Sequence, residues 1–272
     1  MIAPRLLVVV AHPDDETFGC GSVLLHAAAR GATTAVCCAT RGEEGEPAPG
    51  SGITSERLAE VRERELRQAA TAMGVDEVEL LAFRDSGMGG QPRDGALLSV
   101  PLDAVARAVG DVIERTRPHV VVTLDAADGH RDHARIRDAT LAAVERCTWQ
   151  VQRVYLQCLP RSLLRRWAAH MRFQQPDSPY LDVDGAGLGT PDALVTTVID
   201  VAAHLQGRRA AIALHASQTS PFASLPEDLV RDFLATDHLQ RVVPPSAGGE
   251  RETDLFAGIA LDRDSEEAAG RL

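Results

Sequence analysis

The chain has no lysine and no asparagine in its 272 residues, and all 28 of its basic side chains are arginine. That is the bias a GC-rich coding sequence produces, and no chemistry is read from it. A basic face is missing too: the formal net charge is −11, which excludes nucleic acid and anionic membranes as partners. No stretch approaches the ~20 uninterrupted apolar residues of a membrane-spanning helix, so no membrane insertion is expected. The start, Met1-Ile2-Ala3-Pro4-Arg5, lacks a signal-peptide layout and predicts a cytoplasmic location. Cys20, Cys37, Cys38, Cys147 and Cys158 are odd in number and show no C-x-x-C spacing. They read as buried free thiols, not as a zinc knuckle. A dinucleotide-binding G-x-G-x-x-G is also lacking; Gly19-Cys20-Gly21-Ser22 stands in its place. Aromatic residues make up only 4% of the chain, and Trp149 and Trp167 read as packing residues.

What is present is a regular alternation. Leu6 to Val10 is a short, continuous apolar run, the pattern of a strand buried on both faces. A helix over Ser22–Arg30 and a second strand over Thr33–Ala39 follow. A Gly-, Pro- and Glu-rich loop spans 40–54. Ser55 then caps a helix over 56–73 that Gly74 ends. Strand three is Glu77–Phe83, a helix runs over 101–117, strand four is His119–Leu124, a helix runs over 133–147, and strand five is Val151–Cys158. Residues 1–158 therefore predict an α/β, Rossmann-like, doubly wound and mostly parallel sheet with helices on both faces. The part from 159 to 262 is less regular. Residues 160–167 and 191–194 read as connections, 194–199 as a strand, 201–215 and 227–236 as helices, and 254–259 as a late strand. The acidic segment 263–272 reads as a disordered tail. With 44% hydrophobic residues, the whole length 1–272 is expected to form a single domain.

The chemistry gathers at the carboxyl ends of two strands. After strand one comes Ala11-His12-Pro13-Asp14-Asp15-Glu16; after strand four, Gly129-His130-Arg131-Asp132-His133. Ligands of open α/β sheets bind at that edge. Three acids beside one histidine repel each other unless something positive sits among them. Two histidines and a carboxylate with an open fourth position form a catalytic zinc site, and His12, Asp15 and His133 are assigned as its ligands. Asp14 is then placed as general base on the zinc-activated water. His130 would stabilise the oxyanion or protonate the leaving amine, and Asp132 would hold His130 and favour its charged form. Ferrous iron suits similar ligands.

These motifs resemble those of the PIG-L/LmbE-like zinc-dependent N-deacetylases. Further matching elements are Thr40-Arg41-Gly42-Glu43-Glu44-Gly45, Arg62 with Glu65, Gly74-Val75, Asp85-Ser86-Gly87-Met88 and His215-Ala216-Ser217-Gln218. The resemblance implies the Rossmann-like fold and the ligand set above. It also implies that Arg62 and Asp85 bind the sugar hydroxyls of an N-acetylglucosamine unit. Read without the family, Arg62 would pair with Glu65 one helical turn away. Two positions depart from the family pattern: Arg131 stands where Pro is common, and Asp128 where some thiol-biosynthesis members carry a Tyr that assists the oxyanion. Both point to a changed substrate. His215 reads as lining the pocket or as capping its helix end through its charge.

The expected function is removal of an N-acetyl group from an N-acetylated amino sugar or its conjugate, a small-molecule substrate. Polar residues at the site mouth, among them Arg41, Glu43 and Glu44, suit a polyhydroxylated ligand. An amidase acting on a larger thiol conjugate and a non-catalytic, metal-containing sugar-binding protein are the alternatives. Monomer and homo-oligomer both remain open.

Overall fold

β1 (Arg5–Val10) lies at the centre of the sheet, and its apolar residues are buried. Neighbouring strands flank it on both edges and helices cover it, so a continuous apolar run serves where an alternating one would leave polar groups inside. β1 pairs in parallel with β2 (Thr33–Cys38) on one side and β4 (Val120–Leu124) on the other. β3 (Glu77–Leu80) pairs in parallel with β2, and β5 (Arg153–Gln157) in parallel with β4. The computed structural model describes residues 3–174 and 176–261; the tail over 263–272 lies outside them.

The sheet has seven strands in the order β3-β2-β1-β4-β5-β7-β6, where β6 is Thr197–Asp200 and β7 is Thr236–Val243. β7 runs antiparallel to both of its neighbours. The part after residue 158 thus adds two strands to the same sheet. From β1 the chain moves outward through α1 (Asp15–Phe18), α2 (Gly21–Ala29) and α3 (Ser55–Ala72) to β3. It then returns across the sheet by α4 (Leu102–Thr116) to β4 and proceeds by α5 (Arg131–Arg146) to β5. Right-handed crossovers in opposite directions place α2 and α3 on one face and α4 and α5 on the other. The order reverses between β1 and β4, which opens a crevice at their carboxyl ends.

The expected elements of residues 1–158 are found with ends shifted by a few residues. The helix after β2 has Thr54, not Ser55, at its N-cap position. Gly74 (φ 75°) supplies the left-handed turn that stops it. Two expectations beyond residue 158 fail, and one strand is found that was not expected. Residues 160–167 belong to a helix, α6 (Arg161–Met171), which buries Leu163, Leu164, Ala168 and Met171. Pro160 precedes its first turn, where a missing N–H breaks no helical bond. Residues 236–243 form β7, beyond the short α8 (Glu227–Leu234). Residues 254–259 form no strand. The Asp254 carboxylate accepts the Phe256 N–H, and the Ile259 N–H returns to Phe256 O, so the chain turns there.

The main core surrounds the sheet. Two smaller clusters flank the crevice. One is built on Leu164, Ala168, Met171, Leu181, Val183 and Leu188; the other on Ile212 of α7 (Leu205–Ala213) with Val230 and Leu234 of α8. No helix among the described residues is long and apolar enough to cross a membrane.

Candidate active site

Asp14 connects the end of β1 to α1 with φ 120° and ψ −32°, a conformation that side chains with a Cβ rarely adopt. It costs about 1–3 kcal/mol and persists only where its surroundings hold it. Here they do. Its N–H donates to Glu16 Oε2 (2.8 Å), and its carbonyl accepts the Thr17 hydroxyl (2.9 Å). The other oxygen of Glu16 lies 2.6 Å from His215 Nε2, and both side chains are fully buried. Burial lowers the His215 pKa, but Glu16 outweighs it and the net direction is up. His215 therefore stands behind the wall of the site and braces it, in place of lining the pocket. The third acid of the Asp-Asp-Glu run, with a late histidine to match, was the available signal for this brace.

The Asp15 carboxylate lies between two imidazoles. Its Oδ2 is 3.5 Å from His12 Nδ1, and its Oδ1 is 3.3 Å from His133 Nε2. Each imidazole meets a further carboxylate on its other nitrogen. His133 Nδ1 is 2.6 Å from Asp128 Oδ2, and His12 Nε2 is 3.3 Å from Asp132 Oδ2 and 3.5 Å from Asp85 Oδ1. Burial lowers the pKa of both histidines, but the carboxylates outweigh it: His12 is raised well above its ordinary value and His133 to about 10. Asp15, Asp85, Asp128 and Asp132 are all lowered, since their partners outweigh burial, which alone would raise them.

Asp132 does not hold His130 through its side chain. His130 is the N-cap of α5, and its Nδ1 accepts the Asp132 backbone N–H (3.1 Å), one of the free donors of a helix start. The Asp132 carboxylate turns inward, accepts the Ser86 N–H (2.9 Å) and faces His12. Nor is His130 held in its charged form. Burial, helped by His12 and His133, lowers its pKa to about 4. With Nδ1 accepting, the neutral ring carries its proton on Nε2. It stacks on His133 with centroids 4.5 Å apart.

Arg62 is buried and makes no pair with Glu65. Its guanidinium donates to Gly42 O (2.9 Å), Pro13 O (2.5 Å) and Asp14 Oδ2 (2.9 Å). Glu65 accepts instead the N–H and hydroxyl of Ser217, which closes the His215–Gln218 segment onto α3. Burial raises Asp14 to about 6, with Arg62 pulling the other way. Asp85 is buried against His12 and accepts the N–H groups of Glu44 and Gly87. Charged groups around the mouth are largely engaged with one another: Arg41 with Glu63, Arg84 with Glu43, Arg93 with Glu44. Arg131 is a clamp on the loop after β3, donating to the carbonyls of Ser86, Gly87, Gly89 and Gly90.

A cavity of about 620 Å³ opens over this cluster, lined by His12, Asp14, Asp15, Asp85, His130 and His133 among others. The donor set fits a divalent cation. Asp14, Asp15, Asp85, Asp128 and Asp132 converge, and Arg62 is the one guanidinium bonded to any of them among the described residues. Asp132 Oδ1 is buried and has no hydrogen-bond partner among the described residues. Asp15 reaches the two imidazoles with different oxygens, Oδ2 at 3.5 Å from His12 Nδ1 and Oδ1 at 3.3 Å from His133 Nε2, so its carboxylate bridges the two rings. Among the described residues, two sets bring one ligand atom from each residue within 4.8 Å of one another: His12, His130 and His133, and His12, Asp85 and Asp132.

Residues 7–144 match the family described as PIG-L: GlcNAc-PI de-N-acetylase. The 1D-myo-inositol 2-acetamido-2-deoxy-alpha-D-glucopyranoside deacetylase of Geodermatophilus obscurus is 36% identical over 293 positions, covering 94% of this chain and 98% of that protein. Among solved structures, the N,N'-diacetylchitobiose deacetylase from Pyrococcus horikoshii superposes with a TM-score of 0.58 at 17% identity, over 97% of this chain and 89% of that one. The 4-carboxy-2-hydroxymuconate hydratase of Pseudomonas putida KT2440 superposes at 0.60 and 20%, over 90% and 99%. At these identities the structural likeness is one of fold, and a fold shared by a deacetylase and a hydratase leaves the reaction to the site.

Proposed function

The chain belongs to the PIG-L family of GlcNAc-PI de-N-acetylases, and from that premise we propose that it hydrolyses the N-acetyl amide of an acetamido sugar conjugate, with His12, Asp15 and His133 holding a divalent ion. Two imidazoles and a carboxylate suit zinc, and ferrous iron accepts the same donors. When bound, such an ion supplies a Lewis acid for the amide carbonyl and brings the pKa of water to about 7. The observation that carries this reading is the position of the Asp15 carboxylate between His12 Nδ1 and His133 Nε2.

The remaining steps belong to the protein's own groups. Asp14 lines the cavity beside this cluster and takes the proton of the attacking water. Its strained turn and Arg62 fix where that carboxylate stands. His130 offers its Nε2–H to the developing oxyanion as a neutral donor, and no charged imidazole is needed. The proton gathered by Asp14 passes to the leaving amine. Asp85 accepts a sugar hydroxyl with an oxygen that backbone N–H groups already orient. Arg62, with its guanidinium engaged by Pro13, Gly42 and Asp14, acts mainly by holding the Asp14 turn.

The test is release of primary amine from N-acetylglucosamine, its inositol glycoside and larger conjugates, with and without chelator. Release that chelator abolishes and zinc restores is the expected result. A protein that binds one metal per chain and these sugars, yet releases no amine, is a binding protein and not a hydrolase.

A further inference from the structure

The cavity has a second character beyond its polar end. Phe18, Leu163, Leu164, Trp167, Phe222 and Phe233 line the same space. They come from α1, α6, α8 and the loop before α8, so nothing in their sequence spacing announces the grouping. Phe222 lies edge-on to Phe18 (6.0 Å between centroids) and tilted against Phe233 (5.8 Å). The chain holds six Phe, two Trp and two Tyr, and five of these ten, with Tyr180 the fifth, line this one cavity. Two satellite clusters back the wall: Trp167 packs on the α6 cluster, and Phe18, Phe222 and Phe233 on the α7–α8 cluster.

A polyol would find few partners here. Gln157, Gln218, Thr219, Thr236 and His238 interrupt the apolar wall, and Asp125, Arg208 and Asp237 also line the cavity but are engaged, Asp125 with Thr190 and the other two with each other. That is enough to orient a ligand but not to replace the hydration of several hydroxyls. Phe18 lies three residues from Asp15 in the same single turn of helix, so the apolar space begins beside the catalytic cluster.

We propose that this chamber is a subsite for an alkyl or aryl group of about six carbons or more that the amino-sugar substrate carries. The group is either the aglycone of the sugar or the acyl chain of the amide itself. The proposal rests on reading the polar cluster as the deacetylase centre, and it narrows the substrate from any acetamido sugar to an amphiphilic one.

Two measurements test it. With the zinc-loaded protein, kcat/KM is compared along methyl, butyl and hexyl glycosides of N-acetylglucosamine, and along glucosamine bearing acetyl, butanoyl and hexanoyl amides. Burying a methylene contributes roughly threefold to fourfold in affinity. A rise of at least about thirtyfold to the six-carbon member is expected in one series, and the series that rises identifies which group enters. Separately, hexyl and methyl glucosides, which carry no amide, are titrated by calorimetry. Hexyl glucoside is expected to bind at least about thirtyfold more tightly, and Trp167→Gln to reduce that ratio below about fivefold. Phe222→Ser serves the same purpose should Trp167→Gln unfold. Cleavage with no dependence on chain length overturns the chamber and leaves the deacetylase reading intact. Tight hexyl binding without any amide cleavage does the reverse. A hexyl preference unchanged in both variants places the ligand elsewhere and overturns the chamber.

Discussion

Asp128 Oδ2 lies 2.6 Å from His133 Nδ1, on the far side of the imidazole from Asp15. One carboxylate thus fixes the ring's tautomer and plane while the other faces its Nε2. Carboxylates in this outer position raise ligand basicity and orient the ring. Asp128 is itself held, since its second oxygen accepts the His130 N–H (3.0 Å). Its place at the site is accounted for by these contacts to His133 and His130. Asp128→Asn is expected to weaken zinc affinity by about tenfold and Asp128→Ala by up to about a hundredfold, read by competition against a chromophoric chelator. Unchanged affinity with an altered substrate profile would return Asp128 to the role of a substrate contact.

Asp132 stands in the same relation to His12. Its carboxylate faces His12 Nε2 while Nδ1 faces Asp15. Asp132→Asn keeps a partner for the Ser86 N–H but removes the charge behind His12. The expected result is a loss of zinc affinity of about ten- to a hundredfold, together with lower kcat at subsaturating metal that added zinc restores. A kcat defect that excess zinc leaves untouched would mean that Asp132 acts on His130 after all.

The sheet as far as β5 and the two polar loops were legible because both depend on local pattern: continuous apolar strands, Gly74 at a helix end, ligand-type residues just past strand ends. The inner wiring was not. Asp132 looks in sequence like a partner of His130 two residues away, but a helix start sends the backbone N–H to the histidine and the side chain inward. Arg62 and Glu65 look like an intrahelical pair. Both are buried, and each finds a partner from a distant loop, where desolvation makes a well-placed contact count for more. β7 was missed because Asp237, His238, Gln240 and Arg241 give it a polar composition. What makes Asp237 tolerable inside is Arg208, 3.0 Å away on α7. The aromatic chamber is legible only in three dimensions.

Arg131 replaces a backbone constraint with a side-chain one. Its guanidinium holds four carbonyls of the loop that carries Asp85 and Ser86. Removing it leaves those carbonyls to water, since much of the loop is exposed. Arg131→Ala is therefore expected to lower stability by about 1–3 kcal/mol in urea unfolding. Amide exchange is expected to accelerate mainly over 86–90. Protection there equal to wild type would show that the loop holds its own shape.

His119 sits at the opposite end of the sheet, buried just before β4, and its Nδ1 accepts the Arg5 N–H (3.0 Å). Burial, reinforced by Arg5, lowers its pKa to about 4. An unfolded histidine titrates near 6.5. Between these values the unfolded chain binds a proton that the folded chain excludes, so this contribution is complete above pH 6.5 and is lost as pH falls towards 4. The full difference is about 3 kcal/mol at most. His119→Gln retains an acceptor for the Arg5 N–H and cannot take the proton. The stability difference between wild type and this variant should shift in favour of the variant as pH falls from 6.5 to 4, by about 2–3 kcal/mol in chemical unfolding. A difference that stays constant over that interval would show that His119 protonates inside the folded protein, with the Arg5 bond broken at little cost.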